Sequence, residues 1–144
     1  GVFLEKEKIN CKPIKIEWNF IDHPDLFPTI IVACVGLGIE LVANGVSTLI
    51  YKESNRILSM KNELIKFNVK LIIQNKDSVH LLSGSSKKND QKIFIDSHND
   101  HRIALSLAPL SLLGYNLQID NRIVINKSYP NFFNDLTKFG VLIT

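Results

Sequence analysis

The stretch HNDHRIALSLAPL, residues 98–110, decides how this chain is read. Its polar head ends in Asp100, His101 and Arg102 and runs straight into isoleucine, alanine, leucine and proline. The apolar part predicts a helix over about 100–113, ending near Gly114. A helix N-terminus carries unpaired N–H groups and the positive end of the dipole, so it favours anions. Asp100 is therefore an ordinary cap. Arg102 runs against the dipole and needs a reason, and an anionic ligand is one.

Working outward, the same arrangement recurs. PIKIEWNF (13–20) alternates as a half-buried strand, with Ile14, Ile16, Trp18 and Phe20 on one face. A buried helix follows within LFPTIIVACVGLGI (26–39), with Asp22 or Asp25 as its cap and Pro28 in its first turn. IELVAN and VSTLIYK read as strands around Asn44-Gly45. KESNRILSMKNELIKFN (52–68) is amphipathic, with Ile57, Lys61 (by its stem), Leu64 or Ile65, and Phe67 at helical spacing, and with Glu53 and Ser54 at its start. VKLIIQ and VHLLS form a strand pair, GSSKKNDQ a polar loop, and KIFID a strand. After the opening helix, YNLQID and RIVINK read as strands. YPNFFNDLTKFG is a short helix with Pro130 in its first turn and Gly140 at its stop.

Strands and helices alternate, with strand pairs between some helices, which predicts an α+β fold of packed βα units. The chain also repeats. Asp25 to Lys52 and Asp100 to Lys127 are both 27 residues apart, an offset of 75, and ELIKFNV (63–69) resembles DLTKFGV (135–141). Four helices are predicted, and each opens with reactive side chains: Asp22, His23 and Asp25; Lys52, Glu53 and Arg56; Asp100, His101 and Arg102; and Lys127, Ser128 and Tyr129. If the repeat brings these mouths to one side, they form an anion-seeking cleft.

The totals allow this. The 144 residues are 45% hydrophobic, enough for one packed core, and net charge is +3. That charge suits small anions and falls short of a nucleic-acid binder. Cys34 lies in an apolar run as a core thiol, and the two cysteines form no disulfide framework or metal motif. A reducing, cytoplasmic compartment is expected. The longest apolar segment is broken by Pro28 and two glycines, stops at Glu40, and is shorter than the ~20 residues of a membrane span. No signal pattern precedes it.

Each mouth also has a plain alternative. Asp22, Asp25 and Asp100 can be caps only. His23 and His101 can be hydrogen-bonded without chemistry, and Lys52 and Glu53 can be solvated. Arg56 can pair with Glu53 three residues away. Only recurrence at all four mouths favours function. No P-loop, dinucleotide fingerprint, H-E-x-x-H or G-x-S-x-G occurs. Aromatic residues do not interleave with basic ones, so nucleic acid has no support.

YKESNR (51–56), NDHRIAL (99–105) and NKSYPNF (126–132), with DHPDLFPT (22–29) before them, closely resemble the C-terminal part of the 5-enolpyruvylshikimate-3-phosphate synthase family. The resemblance runs from about residue 14 to nearly the chain's end. It implies the enolpyruvyl transferase fold, an inside-out α/β barrel of repeated βαβαββ units with helices inside and sheets outside. It implies transfer of the enolpyruvyl group of phosphoenolpyruvate to the 5-hydroxyl of shikimate 3-phosphate, with release of phosphate. The family uses no metal or organic cofactor, serves aromatic amino acid biosynthesis, and is the target of glyphosate. By length the chain is expected to be the C-terminal portion of such a domain, with about two units, roughly 12–82 and 92–144. The partnering N-terminal domain and part of the C-terminal one are expected to lie outside it, so the chain alone is expected to be inactive or nearly so.

The resemblance also assigns roles. Asp25 contacts the shikimate hydroxyl and is a candidate general base. Lys52 neighbours it on shikimate 3-phosphate. Glu53 is the carboxylate at the methylene carbon of phosphoenolpyruvate. Arg56, Arg102 and Lys127 clamp the phosphate and carboxylate of phosphoenolpyruvate, and His101 stands beside the clamp. Two carboxylates suit a reaction that adds a proton at carbon and takes one from a hydroxyl, and fixed cations suit its phosphate leaving group. The chain departs from the family at Asn55, where Asp is usual, at Ser97-His98, where Thr-Tyr is usual, and at Ile103 and Leu105, which replace methionines. Two other readings are a UDP-N-acetylglucosamine enolpyruvyl transferase, against which the KESNR, NDHR and KSYPNF motifs argue, and a non-catalytic module binding phosphorylated ligands.

Overall fold

The computed structural model describes residues 15–82 and 91–143. The loop expected over 84–91 lies almost wholly outside them, as do Ile14 and Cys11. The first strand, β1 (Lys15–Asn19), leads through a 3-10 turn (Pro24–Leu26) into helix α1 (Phe27–Leu37). Strand β2 (Glu40–Asn44) follows, then a 3-10 turn (Ser47–Tyr51) and helix α2 (Arg56–Leu64). Strands β3 (Leu71–Asn75) and β4 (Ser78–Leu81) close this half. The sheet order is β1-β2-β4-β3, with β1 parallel to β2 and β4 antiparallel to both its neighbours.

The second half begins the same way. Strand β5 (Ile93–Ile95) leads into helix α3 (His101–Leu107), extended by a 3-10 turn (Ala108–Leu113). Strand β6 (Leu117–Ile119) pairs parallel with β5. A 3-10 turn (Arg122–Lys127) and helix α4 (Phe132–Lys138) follow. The order strand, helix, strand, 3-10 turn, helix thus occurs twice.

The helices pack on one another, α3 against both α1 and α2, and the sheets lie outside them. The core is continuous across both halves, from Phe20, Phe27 and Ile31 through Met60, Leu64 and Phe67 to Ile95, Ile103 and Leu107. Edge-on ring contacts, Phe20 on Phe27 and Phe67 on Tyr115, join the residue after β1 to α1 and the end of the α2 segment to the chain entering β6. Cys34 is buried in α1 as expected, and burial pushes its thiol up.

Several expectations are corrected. VSTLIYK is a 3-10 turn rather than a strand. Val46 and Leu49 are both fully buried three residues apart, which is the period of a 3-10 helix. The antiparallel neighbour of β2 is β4, so Asn44-Gly45 makes no hairpin. Gly45 is required for another reason: its φ is +67°, and an added Cβ would lie 2.2 Å from Asn19 Oδ1 and 2.7 Å from the Ile21 nitrogen. RIVINK is likewise a 3-10 turn, anchored by Ile125 alone. Trp18 is 43% exposed although it alternates with Ile16 and Phe20. Leu64 faces the core and Ile65 does not. Helix α1 is buried on one face only, and Ala33, Gly36 and Leu37 are exposed. Pro130 lies before α4 rather than in its first turn, whereas Gly140 closes the helix with positive φ as expected.

Candidate active site

The helix mouths converge, though not through the caps expected. Neither Asp22 nor Asp25 caps α1, whose N-cap position is Leu26, with no side-chain hydrogen bond. Asp25 sits in the preceding 3-10 turn, with its carboxylate free to meet side chains from elsewhere. The cap of α2 is Asn55, whose Oδ1 accepts from the Leu58 amide at 3.2 Å, rather than Glu53 or Ser54. Asp100 does cap α3, accepting from the Arg102 amide at 2.9 Å.

Arg56 is the hub. It opens α2 with its side chain only 3% exposed. Its Nε donates to Asp100 Oδ2 at 2.8 Å, and its Nη1 donates to Asp25 Oδ1 at 2.7 Å. Glu53, the expected partner three residues back, is not among its partners. Asp100 is fully buried and also accepts from Ser54 Oγ at 3.1 Å. Burial would raise the Asp100 carboxyl, but the Arg56 hydrogen bond, the Arg102 amide and the Arg56 charge outweigh it and hold its pKa below the usual range. Burial also disfavours the Arg56 cation, but Asp100 and Asp25 more than compensate and push its pKa up.

Asp25 is the second node. Besides Arg56, it accepts from Arg102 Nη2 at 3.1 Å and lies 3.6 Å from Lys52 Nζ. Burial again works to raise its pKa, and the Arg56 hydrogen bond with the charges of Arg102, Lys52 and Arg56 lowers it. Three cations from two helix mouths thus share one carboxylate. That carboxylate is 44% exposed, so the group opens to solvent at Asp25.

Glu53, adjacent to Lys52, makes a separate pair, with its Oε2 2.9 Å from His101 Nδ1. His101 is adjacent to Arg102, so the acid–imidazole pair borders the cationic group. Lys127 is not drawn in. It ends the 3-10 turn that packs against α3, and it is exposed and makes no hydrogen bond or ion pair among the described residues. His23 precedes the first 3-10 turn without capping it.

Glu53, Asp100 and His101 bring ligand atoms within 4.8 Å of one another. This donor set does not suit a metal, because Arg56, Ser54 and the Arg102 amide already occupy both oxygens of Asp100. The arrangement suits an anion held by lysine and arginine, beside a carboxylate–imidazole pair able to pass a proton.

Sequence reasoning missed Asp100 as the buried counter-ion of Arg56, a pairing across 44 residues that no local spacing signals. It also missed Glu63, which is 1% exposed on α2.

The EPSP synthase (3-phosphoshikimate 1-carboxyvinyltransferase) family model matches residues 2–136. A 3-phosphoshikimate 1-carboxyvinyltransferase of Bacteroides fragilis is 34% identical over 126 residues, covering 88% of this chain and 30% of the relative. One of Methanosarcina acetivorans is 36% identical over 121 residues, covering 83% of this chain and 27% of the relative. The EPSP synthase structure from Acinetobacter baumannii superposes with a TM-score of 0.61 at 25% identity, over 83% of this chain and 27% of that one. The chain therefore spans about 30% of the length of the relatives it matches. With the motifs, the fold and the relatives in accord, the chain belongs to the EPSP synthase (3-phosphoshikimate 1-carboxyvinyltransferase) family.

Proposed function

We propose that this chain is the C-terminal portion of an enolpyruvyl transferase domain, with units at roughly 12–82 and 92–144, and that it forms one wall of a site moving the enolpyruvyl group from phosphoenolpyruvate to the 5-hydroxyl of shikimate 3-phosphate. The observation that carries this is the convergence of Lys52, Arg56 and Arg102 on the single carboxylate of Asp25. An anionic substrate meets the same three cations.

Asp25 takes the proton of the attacking hydroxyl, whose oxygen bonds to C2 of phosphoenolpyruvate. Glu53, oriented by His101, delivers a proton to the methylene carbon. The resulting tetrahedral adduct loses phosphate as a proton leaves that carbon, restoring the double bond. Arg56, Arg102 and Lys127 hold the phosphate and carboxylate of phosphoenolpyruvate while charge moves onto the leaving group. Lys52 binds shikimate 3-phosphate beside Asp25. No step requires a metal or organic cofactor. The rest of the site comes from the N-terminal domain of the same enzyme, and closure of the two excludes water. The exposed apolar residues Leu37, Leu112 and Leu113 on the inner helices support a chain that packs against more protein. No helix of the described residues is long and apolar enough to cross a membrane, and the cytoplasm is the proposed compartment.

The test is phosphate release from phosphoenolpyruvate in the presence of shikimate 3-phosphate. The chain alone is expected at background. Co-expression with the N-terminal part of a relative restores release, and Arg102→Met abolishes it again. A full rate from the chain alone, or no release from the complemented pair, rejects the reading.

A further inference from the structure

A second cluster of charge lies two helical turns from the site, and the proposed chemistry does not use it. Glu63 is on α2, seven residues after Arg56 and hence on the same helix face. It is 1% exposed, and its carboxylate is fully engaged. Oε2 accepts from Lys66 Nζ at 2.7 Å and from the Asp96 amide at 3.1 Å, while Oε1 lies 3.3 Å from His98 Nε2. Lys66 also donates to the Phe94 carbonyl at 2.8 Å, so Glu63 and Lys66 together grip the chain as it leaves β5.

What they grip is an unusual turn. His98 and Asn99 are consecutive non-glycine residues in the left-handed region, with φ of +52° and +54°. A side chain there is disfavoured and persists only where surrounding contacts impose it. Asp100 follows at once, its amide donating to the Ser97 carbonyl at 2.9 Å. The direction of the Asp100 carboxylate, and with it the Arg56 guanidinium and the start of α3, depends on how this turn is set. The turn is fastened to α2 at both ends, by Glu63 at its beginning and by Arg56 on Asp100 at its end. Asp120 adds one contact from the far side, accepting from the Ser97 amide at 2.8 Å.

We infer that Glu63 is a positioning residue for the anion-binding group: through the Asp96 amide and His98, it holds the 96–99 turn in the conformation that presents Asp100 to Arg56 and orients His101 and Arg102. The role in binding rests on the proposed function, whereas the coupling from Glu63 to Arg56 does not.

The test is NMR on the chain itself, with and without phosphoenolpyruvate. In Glu63→Gln, with core methyl signals and melting temperature retained, hydrogen exchange at Arg56 Nε–H and at the Arg102 amide speeds up about tenfold or more. Phosphoenolpyruvate, followed on the same two signals, binds more weakly than to the parent. His98→Ala, at a side chain 23% exposed, changes both readouts in the same direction by a smaller factor. Unchanged exchange at Arg56 Nε–H in a folded Glu63→Gln overturns the inference. If Glu63→Gln does not fold, unchanged exchange in His98→Ala overturns it. If exchange speeds up while the parent shows no response to phosphoenolpyruvate, the coupling from Glu63 to Arg56 stands and its role in binding by this chain is overturned.

Discussion

Arg56 and Asp100 form a buried ion pair whose two members lose their partners together, and this sets the largest single-residue effects. Replacing Arg56 with methionine leaves the carboxylate of Asp100 without its main donor in a site with no solvent access. Breaking a buried pair from one side costs roughly 3–5 kcal/mol, so Arg56→Met is expected to shift the urea midpoint strongly. Asp100→Asn keeps the Arg102 amide and Ser54 partly satisfied and is expected to cost less. The two carboxylates also fix a pH dependence. Asp100 and Asp25 both have folded-state pKa values below their ordinary ones. Their contribution is therefore complete above the unfolded carboxylate value of about 3.9, and it is lost as pH falls through the depressed folded values. Stability measured from pH 6 downward should fall more steeply below about pH 4 in the parent than in Asp100→Asn. Equal slopes would mean that Asp100 gains nothing from Arg56. At this scale the sequence placed charged residues at the helix mouths and was silent about who pairs with whom. The i, i+3 spacing of Glu53 and Arg56 suggested a local pair. The fold instead gave Arg56 to Asp25 and Asp100, 31 and 44 residues away, and gave Glu53 to His101.

The elements that carry the site are short and depend on their ends. Helix α2 has nine residues and owes its start to one side-chain cap, Asn55 on the Leu58 amide. Asn55→Ala should cost about 1 kcal/mol and loosen the first turn, which carries Arg56. Asn55→Asp, the residue usual in the family, should retain the cap. Denaturant melts of the two variants separate these outcomes, and an alanine variant as stable as the parent would show that packing alone starts the helix. Gly45→Ala is the sharper case, because both its φ and the 2.7 Å approach of the Ile21 backbone oppose a side chain. It should destabilise by well over the ~1 kcal/mol of an ordinary glycine effect. Strand β1, the two principal helices and the β3–β4 pair were legible from period and turn chemistry. The two 3-10 turns were not. Val46 and Leu49 in one, and isoleucine with valine in the other, carry strand-like composition. Only the sheet order, in which β4 takes the place beside β2, shows that these segments are connectors. They are also the segments that end next to or at Lys52 and Lys127, so missing them meant missing how those lysines are delivered to the mouths of α2 and α4.

At the scale of the molecule, the helices lie together with the sheets flanking them, and part of what the helices leave uncovered is apolar. Leu37 on α1 is 73% exposed, and Leu112 and Leu113, on the 3-10 turn that extends α3, are 48% and 37% exposed. The end of α1 meets that 3-10 turn there: a Cβ on Gly36 would lie 3.3 Å from Leu113 Cδ1. The offset of 75 residues suggested a repeat, and one order of elements does occur twice, but the even hydrophobicity of α1 hid that only one of its faces is buried here. An exposed apolar face of this kind binds hydrophobic dyes and promotes association between copies. The isolated chain is therefore expected to bind anilinonaphthalene sulfonate in its folded state and to sediment as larger species as concentration rises. Leu37→Lys together with Leu112→Lys should reduce both effects. The melting temperature should change little, because neither side chain is buried in the core. The same double variant should fail in the complementation assay if this face packs against further protein, since two lysines would then be buried without partners. Undiminished complementation by the double variant would assign the face to solvent and place any contact with further protein elsewhere.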